Sequence, residues 1–127
     1  MTERINAARI GKSAETIRDI FTAYPGVKTV LDPTYGRGAF YKQTPWLVVT
    51  GGDINPGKAK DIVLDFRGLP FADKTFDAVV LDPPFMVGTV TTDYSGEYGV
   101  NPSNVISNVK DYVAGIKEAR RVARQIV

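Results

Sequence analysis

The residues Asp82-Pro83-Pro84-Phe85 follow directly on the apolar run Phe76 to Leu81, so an acid, two prolines and an aromatic ring are expected at the end of a buried strand. Proline has no N–H for a sheet ladder and fixes its own φ, which stiffens the turn. The Asp82 carboxylate and the Pro83 carbonyl are then acceptors around one small space, with Phe85 as a flat wall beside them. Such a group suits a planar, amine-bearing substrate such as a nucleobase, stacked on the ring and hydrogen-bonded at its exocyclic nitrogen. A proline-rich turn with an incidental acid is the alternative for these four residues taken alone.

A second group lies upstream. The β-branched run Val27 to Leu31 leads into Asp32-Pro33-Thr34-Tyr35-Gly36-Arg37-Gly38-Ala39-Phe40, which reads as strand, glycine loop and short helix. Gly36 and Gly38 let the backbone take positive φ and pass close to a ligand. A dinucleotide fingerprint would place a third glycine where this chain has Tyr41, and no Walker lysine follows either glycine, so tight pyrophosphate cradling is not expected. An ordinary strand-to-helix turn remains the alternative.

Acids recur at the ends of the strands. Leu47-Val48-Val49 leads to Gly51-Gly52-Asp53, and Asp53 stands 21 positions after Asp32, against the ~20 usual for an acid that accepts from both hydroxyls of a ribose. Ile62-Val63-Leu64 leads to Asp65-Phe66, an acid and a ring suited to an adenine amine and its face; Phe76 to Leu81 leads to Asp82. One such acid is an ordinary turn residue. Four fit the rule that open parallel sheets bind ligands beyond the carboxyl ends of their strands.

In this order the motifs resemble those of the S-adenosylmethionine-dependent methyltransferases that act on amino groups of nucleic-acid bases. The resemblance implies that Asp32, Pro33, Thr34, Gly36 and Gly38 hold the methionine part of S-adenosyl-L-methionine. It places Asp53, with Ile54 beside it, at the ribose, and Asp65 and Phe66 at the adenine. The target amine falls to Asp82, Pro83, Pro84 and Phe85. Leu69 to Asp77 is similar to the segment that leads into the fourth strand of such enzymes. The implied fold is α/β, a Rossmann-like, mostly parallel sheet with flanking helices. Only four strands are legible before Gln125-Ile126-Val127, which begins a fifth, so residues 1–127 are expected to form one domain, partial against the usual seven strands. A partner chain or a further C-terminal segment would complete the sheet. The implied substrate is nucleic acid, DNA ahead of RNA, with the amino group of adenine first and that of cytosine as its alternative. A protein glutamine amide and a non-catalytic cofactor-binding role are the alternatives.

Composition narrows the chemistry. The 127 residues carry a formal charge of +2, mild for a chain that holds a phosphate backbone. With no cysteine and no histidine there is no disulfide, thiolate or imidazole metal ligand, cysteine nucleophile or serine–histidine triad, and no metal is implied. No apolar run of ~20 residues is present and the start of the chain, with Glu3, Arg4 and Arg9, lacks a signal-peptide core, so a cytoplasmic location without membrane contact is expected.

Two helices must carry these strands. Ser13 is placed to cap one that runs to Tyr24, with Ile17, Ile20, Phe21 and Tyr24 on its buried face and Pro25-Gly26 ending it. Residues 86 to 102, rich in Gly, Thr and Tyr, are expected to form a mobile loop on the substrate side. A second helix from Pro102 has Val105, Val109, Tyr112, Val113, Ile116, Ala119 and Ala123 as its buried face. Its basic row, Lys110, Lys117, Arg120, Arg121 and Arg124, is read as a solvated surface.

Overall fold

The computed structural model describes residues 13–83 and 109–127. Helix α1 (Ser13–Ala23) precedes strand β1 (Thr29–Asp32), and a short 3₁₀ turn (Ala39–Tyr41) stands before β2 (Val48–Asp53). Strands β3 (Ile62–Val63) and β4 (Phe76–Val79) follow, then helix α2 (Val109–Val122) and β5 (Ala123–Ile126). The five strands form one all-parallel sheet in the order β3-β2-β1-β4-β5. This is the expected Rossmann-like arrangement, and the fifth strand starts two residues earlier than its sequence suggested.

Both faces of the sheet are covered, as an all-parallel sheet requires. Successive strand residues point to opposite faces, and Val30 and Leu31 of β1 accordingly enter different cores. Val30 packs with Phe21, Val27, Leu47 and Ala78 beside α1. Leu31 packs with Leu64, Phe66, Leu69, Phe76, Val79, Ala119 and Val122 beside α2. On α1, Phe21 is buried and Ile17 packs against the core as expected, whereas Tyr24 is exposed.

The phase of α2 differs from its sequence reading. Its inward line is Tyr112, Gly115, Ala119 and Val122, while Val109, Val113 and Ile116 are exposed. Gly115 decides this phase, because a Cβ there would meet the Phe66 ring at 2.3 Å. Ala123 belongs to β5, and Val105 lies outside the described residues, as do the start of the expected helix at Pro102 and the loop of residues 86 to 102. Part of the basic row is structural as well. Arg121 donates to the carbonyls of Phe71 and Leu69 and pairs with Glu118 and Asp73, holding the segment before β4 against α2.

Asp77 ties the opposite end of the sheet. Its Oδ2 accepts from the N–H groups of Lys28 at 2.9 Å and Thr29 at 3.1 Å, and Arg124 lies 3.4 Å from Oδ1. Those backbone donors, with Arg124 adding to them, hold its carboxyl below the usual range. Asp77→Ala is expected to cost about 1–3 kcal/mol in chemical denaturation, the scale of hydrogen bonds to a charged group. Because the folded value is depressed, this contribution is complete above the unfolded carboxylate value of about 3.9 and fades as pH falls through the lower folded value. Asp77→Ala should therefore flatten the acid limb of the stability curve.

Candidate functional site

The strand order reverses between β1 and β4, which makes a crevice beyond their carboxyl ends the natural ligand position. Both strands deliver an acid there. Asp32 ends β1 at 1 % exposure, and the exposed Asp82 lies three residues past β4. Thr34 joins them: its Oγ1 donates to Asp32 Oδ1 at 2.9 Å and accepts from the Asp82 N–H at 2.8 Å. The Thr34 N–H also reaches Asp32 Oδ1 at 2.9 Å, and the Tyr41 hydroxyl donates to Oδ2. Burial raises the Asp32 carboxyl above its ordinary range and outweighs these donors; Asp82 nearby adds to the rise. Partial burial also raises Asp82. Pro33 is buried and Pro83 half-buried on the same two strand ends, whereas Pro84 and Phe85 lie outside the described residues.

The glycine loop has the expected backbone, with φ of +57° at Gly36 and +72° at Gly38. Gly38 also meets a packing constraint within the loop. A Cβ there would stand 2.2 Å from the Tyr35 hydroxyl oxygen, and one at Gly51 would stand 2.5 Å from Tyr35 Cγ. These glycines are required by the Tyr35 ring, which lies over both. Its plane is 5° from that of Tyr41 at 5.7 Å between centroids, and Lys60 Nζ lies 5.0 Å from the Tyr35 centroid. At Gly36 the direction of a side chain is open, with only the Thr34 carbonyl at 4.0 Å.

One strand over, Asp53 closes β2 and its Oδ1 accepts from the Asn55 N–H at 2.8 Å. Its Oδ2 has no partner among the described residues and remains an open acceptor, with Ile54 half-buried after it. The third acid is placed differently. Arg67 grips Asp65 through Nη2 at 2.6 Å, Nε at 2.9 and 3.1 Å and its own N–H at 2.9 Å, then reaches Asp111 of α2 at 3.3 Å. This guanidinium holds the Asp65 carboxyl below its usual range and fills the acceptors an adenine amine would use. Phe66 is buried at 4 % exposure in the core beside α2, where a Cβ on Gly115 would meet its ring.

Sequence reasoning missed Tyr41, Tyr35 and Arg67. Tyr41 was legible only as a position lacking a glycine, and Arg67 stands two residues from Asp65, the spacing of a local ion pair. No metal-binding cluster of acids occurs among the described residues, and no described helix is long and apolar enough to cross a membrane.

The fold and the paired strand ends define a parallel α/β protein with Asp32 and Asp82 beside the topological switch point of its sheet. Comparison with protein-family models, curated proteins and solved structures gives no match.

Proposed function

We propose that this chain binds S-adenosyl-L-methionine and methylates the exocyclic amino nitrogen of a nucleobase, DNA adenine first. The observation that carries the reading is the Thr34 bridge, which joins the loop after β1 to Asp82 after β4. Asp53 supports the ribose position, since its Oδ2 has no hydrogen-bond partner among the described residues. The adenine position implied by the sequence does not fit, because Arg67 fills Asp65 and Phe66 is core; the cofactor's adenine would need other contacts.

The cofactor supplies an electrophilic methyl group. The chain's own task is the amine, whose lone pair is conjugated into the base and is a poor nucleophile. The Asp82 carboxylate and the Pro83 carbonyl accept from the two amino protons, which favours a pyramidal nitrogen and stabilises the positive charge that grows on it. Asp82 need not remove a proton first, because the nitrogen becomes strongly acidic once methylated.

Methyl transfer from labelled S-adenosylmethionine to DNA, RNA and protein pools tests the reading, and transfer to none of them would overturn it. A cofactor-binding role without turnover is the second reading. Calorimetric binding without transfer would select it. Asp53→Ala is expected to weaken binding by about 2–4 kcal/mol, from the loss of two charge-assisted hydrogen bonds. Unchanged affinity in the folded variant would remove Asp53 from the site.

A further inference from the structure

The Asp82 N–H can only donate, so the Thr34 oxygen 2.8 Å away must accept. The single Thr34 hydroxyl proton is then directed to Asp32 Oδ1 at 2.9 Å. Oδ1 also accepts the Thr34 N–H, and Oδ2 accepts the Tyr41 hydroxyl, so both oxygens of this buried carboxyl act as acceptors and fix the sense of every bond in the chain. The Tyr41 ring is held in turn by stacking on Tyr35.

We propose that Tyr41, Asp32 and Thr34 form a positioning relay that fixes the backbone of Asp82, with Tyr41 linked to the amine clamp by hydrogen bonds through Asp32 and Thr34. The proposal rests on Asp82 as the substrate-facing acid. Hydrogen bonds in a series stiffen one another, and a clamp needs its acceptors placed to within a fraction of an ångström. Tyr41 and Thr34 are then positioning residues. The glycine loop both faces the cofactor and sets the geometry of the amine subsite.

The test replaces Thr34 by Val, which keeps its shape without the hydroxyl, and by Ser, which keeps the hydroxyl. Two readouts are followed, amide hydrogen exchange at Asp82 by NMR and the kinetics of methyl transfer. Thr34→Val is expected to speed Asp82 exchange about tenfold, since the amide loses its hydrogen-bond acceptor. The same variant should lower kcat about tenfold with the nucleic-acid KM changed less than about threefold, the pattern of a contact felt mainly in the transition state. Thr34→Ser should restore both, and Tyr41→Phe should reproduce the exchange effect at about threefold, as a more distant member of the network. Unchanged Asp82 exchange in Thr34→Val, or no recovery in Thr34→Ser, would overturn the relay. Should Thr34→Val not fold, Tyr41→Phe decides alone, and an unaltered Asp82 amide overturns it. If the wild-type chain transfers no methyl group, the methyltransferase reading fails while the exchange measurements still decide the relay.

Discussion

Asp82→Ala is expected to lower the kcat of methyl transfer by ~100-fold or more with S-adenosylmethionine affinity changed less than about threefold, the pattern of losing a preorganised partner of the transition state. The split follows from position. Asp82 is exposed past the end of β4, while Asp53, the proposed ribose acceptor, closes β2 on the far side of β1. Partial burial raises the Asp82 carboxyl, so the acid limb of the rate profile should fall above the ordinary carboxylate value of about 3.9. Below that limb Asp82 is protonated, and its loss as an anionic acceptor lowers the rate as pH falls. Asp82→Asn retains one carbonyl acceptor without a titrating proton and should lose the limb. Activity that survives Asp82→Ala would overturn the assignment of the amine clamp. A persistent limb in Asp82→Asn would assign that titration to another group, with Asp32 the nearest candidate.

The strand ends were the legible part of this chain because hydrophobic runs and acids both mark them in the sequence. Asp32, Asp53, Asp65 and Asp82 all stand at or just beyond the carboxyl ends of parallel strands. What each acid touches was not legible, since that depends on neighbours brought in by the fold. Asp65 is filled by Arg67, a contact of two residues' separation that no strand pattern encodes. The burial of Phe66 was not legible because adjacency to an acid says nothing about which face of the chain it takes. Its partner is a glycine 49 positions on, in the middle of α2. That glycine also hid the phase of the helix, because a hydrophobic pattern assigns no inward weight to a residue without a side chain. Val109, Val113 and Ile116 supplied a competing stripe that the sequence could not rank below it. The apolar run before Gly51-Gly52 gave no sign that β2 continues through both glycines, which it does because Tyr35 and Leu64 pack where their side chains would be.

Gly51→Ala is expected to destabilise the protein by about 2 kcal/mol in chemical denaturation, within the range for forcing extra volume into a packed site. A methyl group there would stand 2.5 Å from Tyr35 Cγ and under 3 Å from both Cδ atoms, and the ring is stacked on Tyr41. Tyr35→Ala removes the obstacle, so in that background Gly51→Ala should cost less than about 0.5 kcal/mol, a coupling that reports direct contact. Gly38→Ala separates two causes that coincide at one residue. It would meet the same ring, 2.2 Å from its hydroxyl oxygen, and it would also sit at φ +72°. Its cost should be larger, about 3 kcal/mol, and about 1 kcal/mol of it should persist in Tyr35→Ala as backbone strain. A Gly51→Ala cost that persists in full without the Tyr35 ring would show that the ring does not set the requirement. Cofactor titrations of these variants carry meaning only under conditions where each is folded, because the glycines support Tyr35 before they meet any ligand.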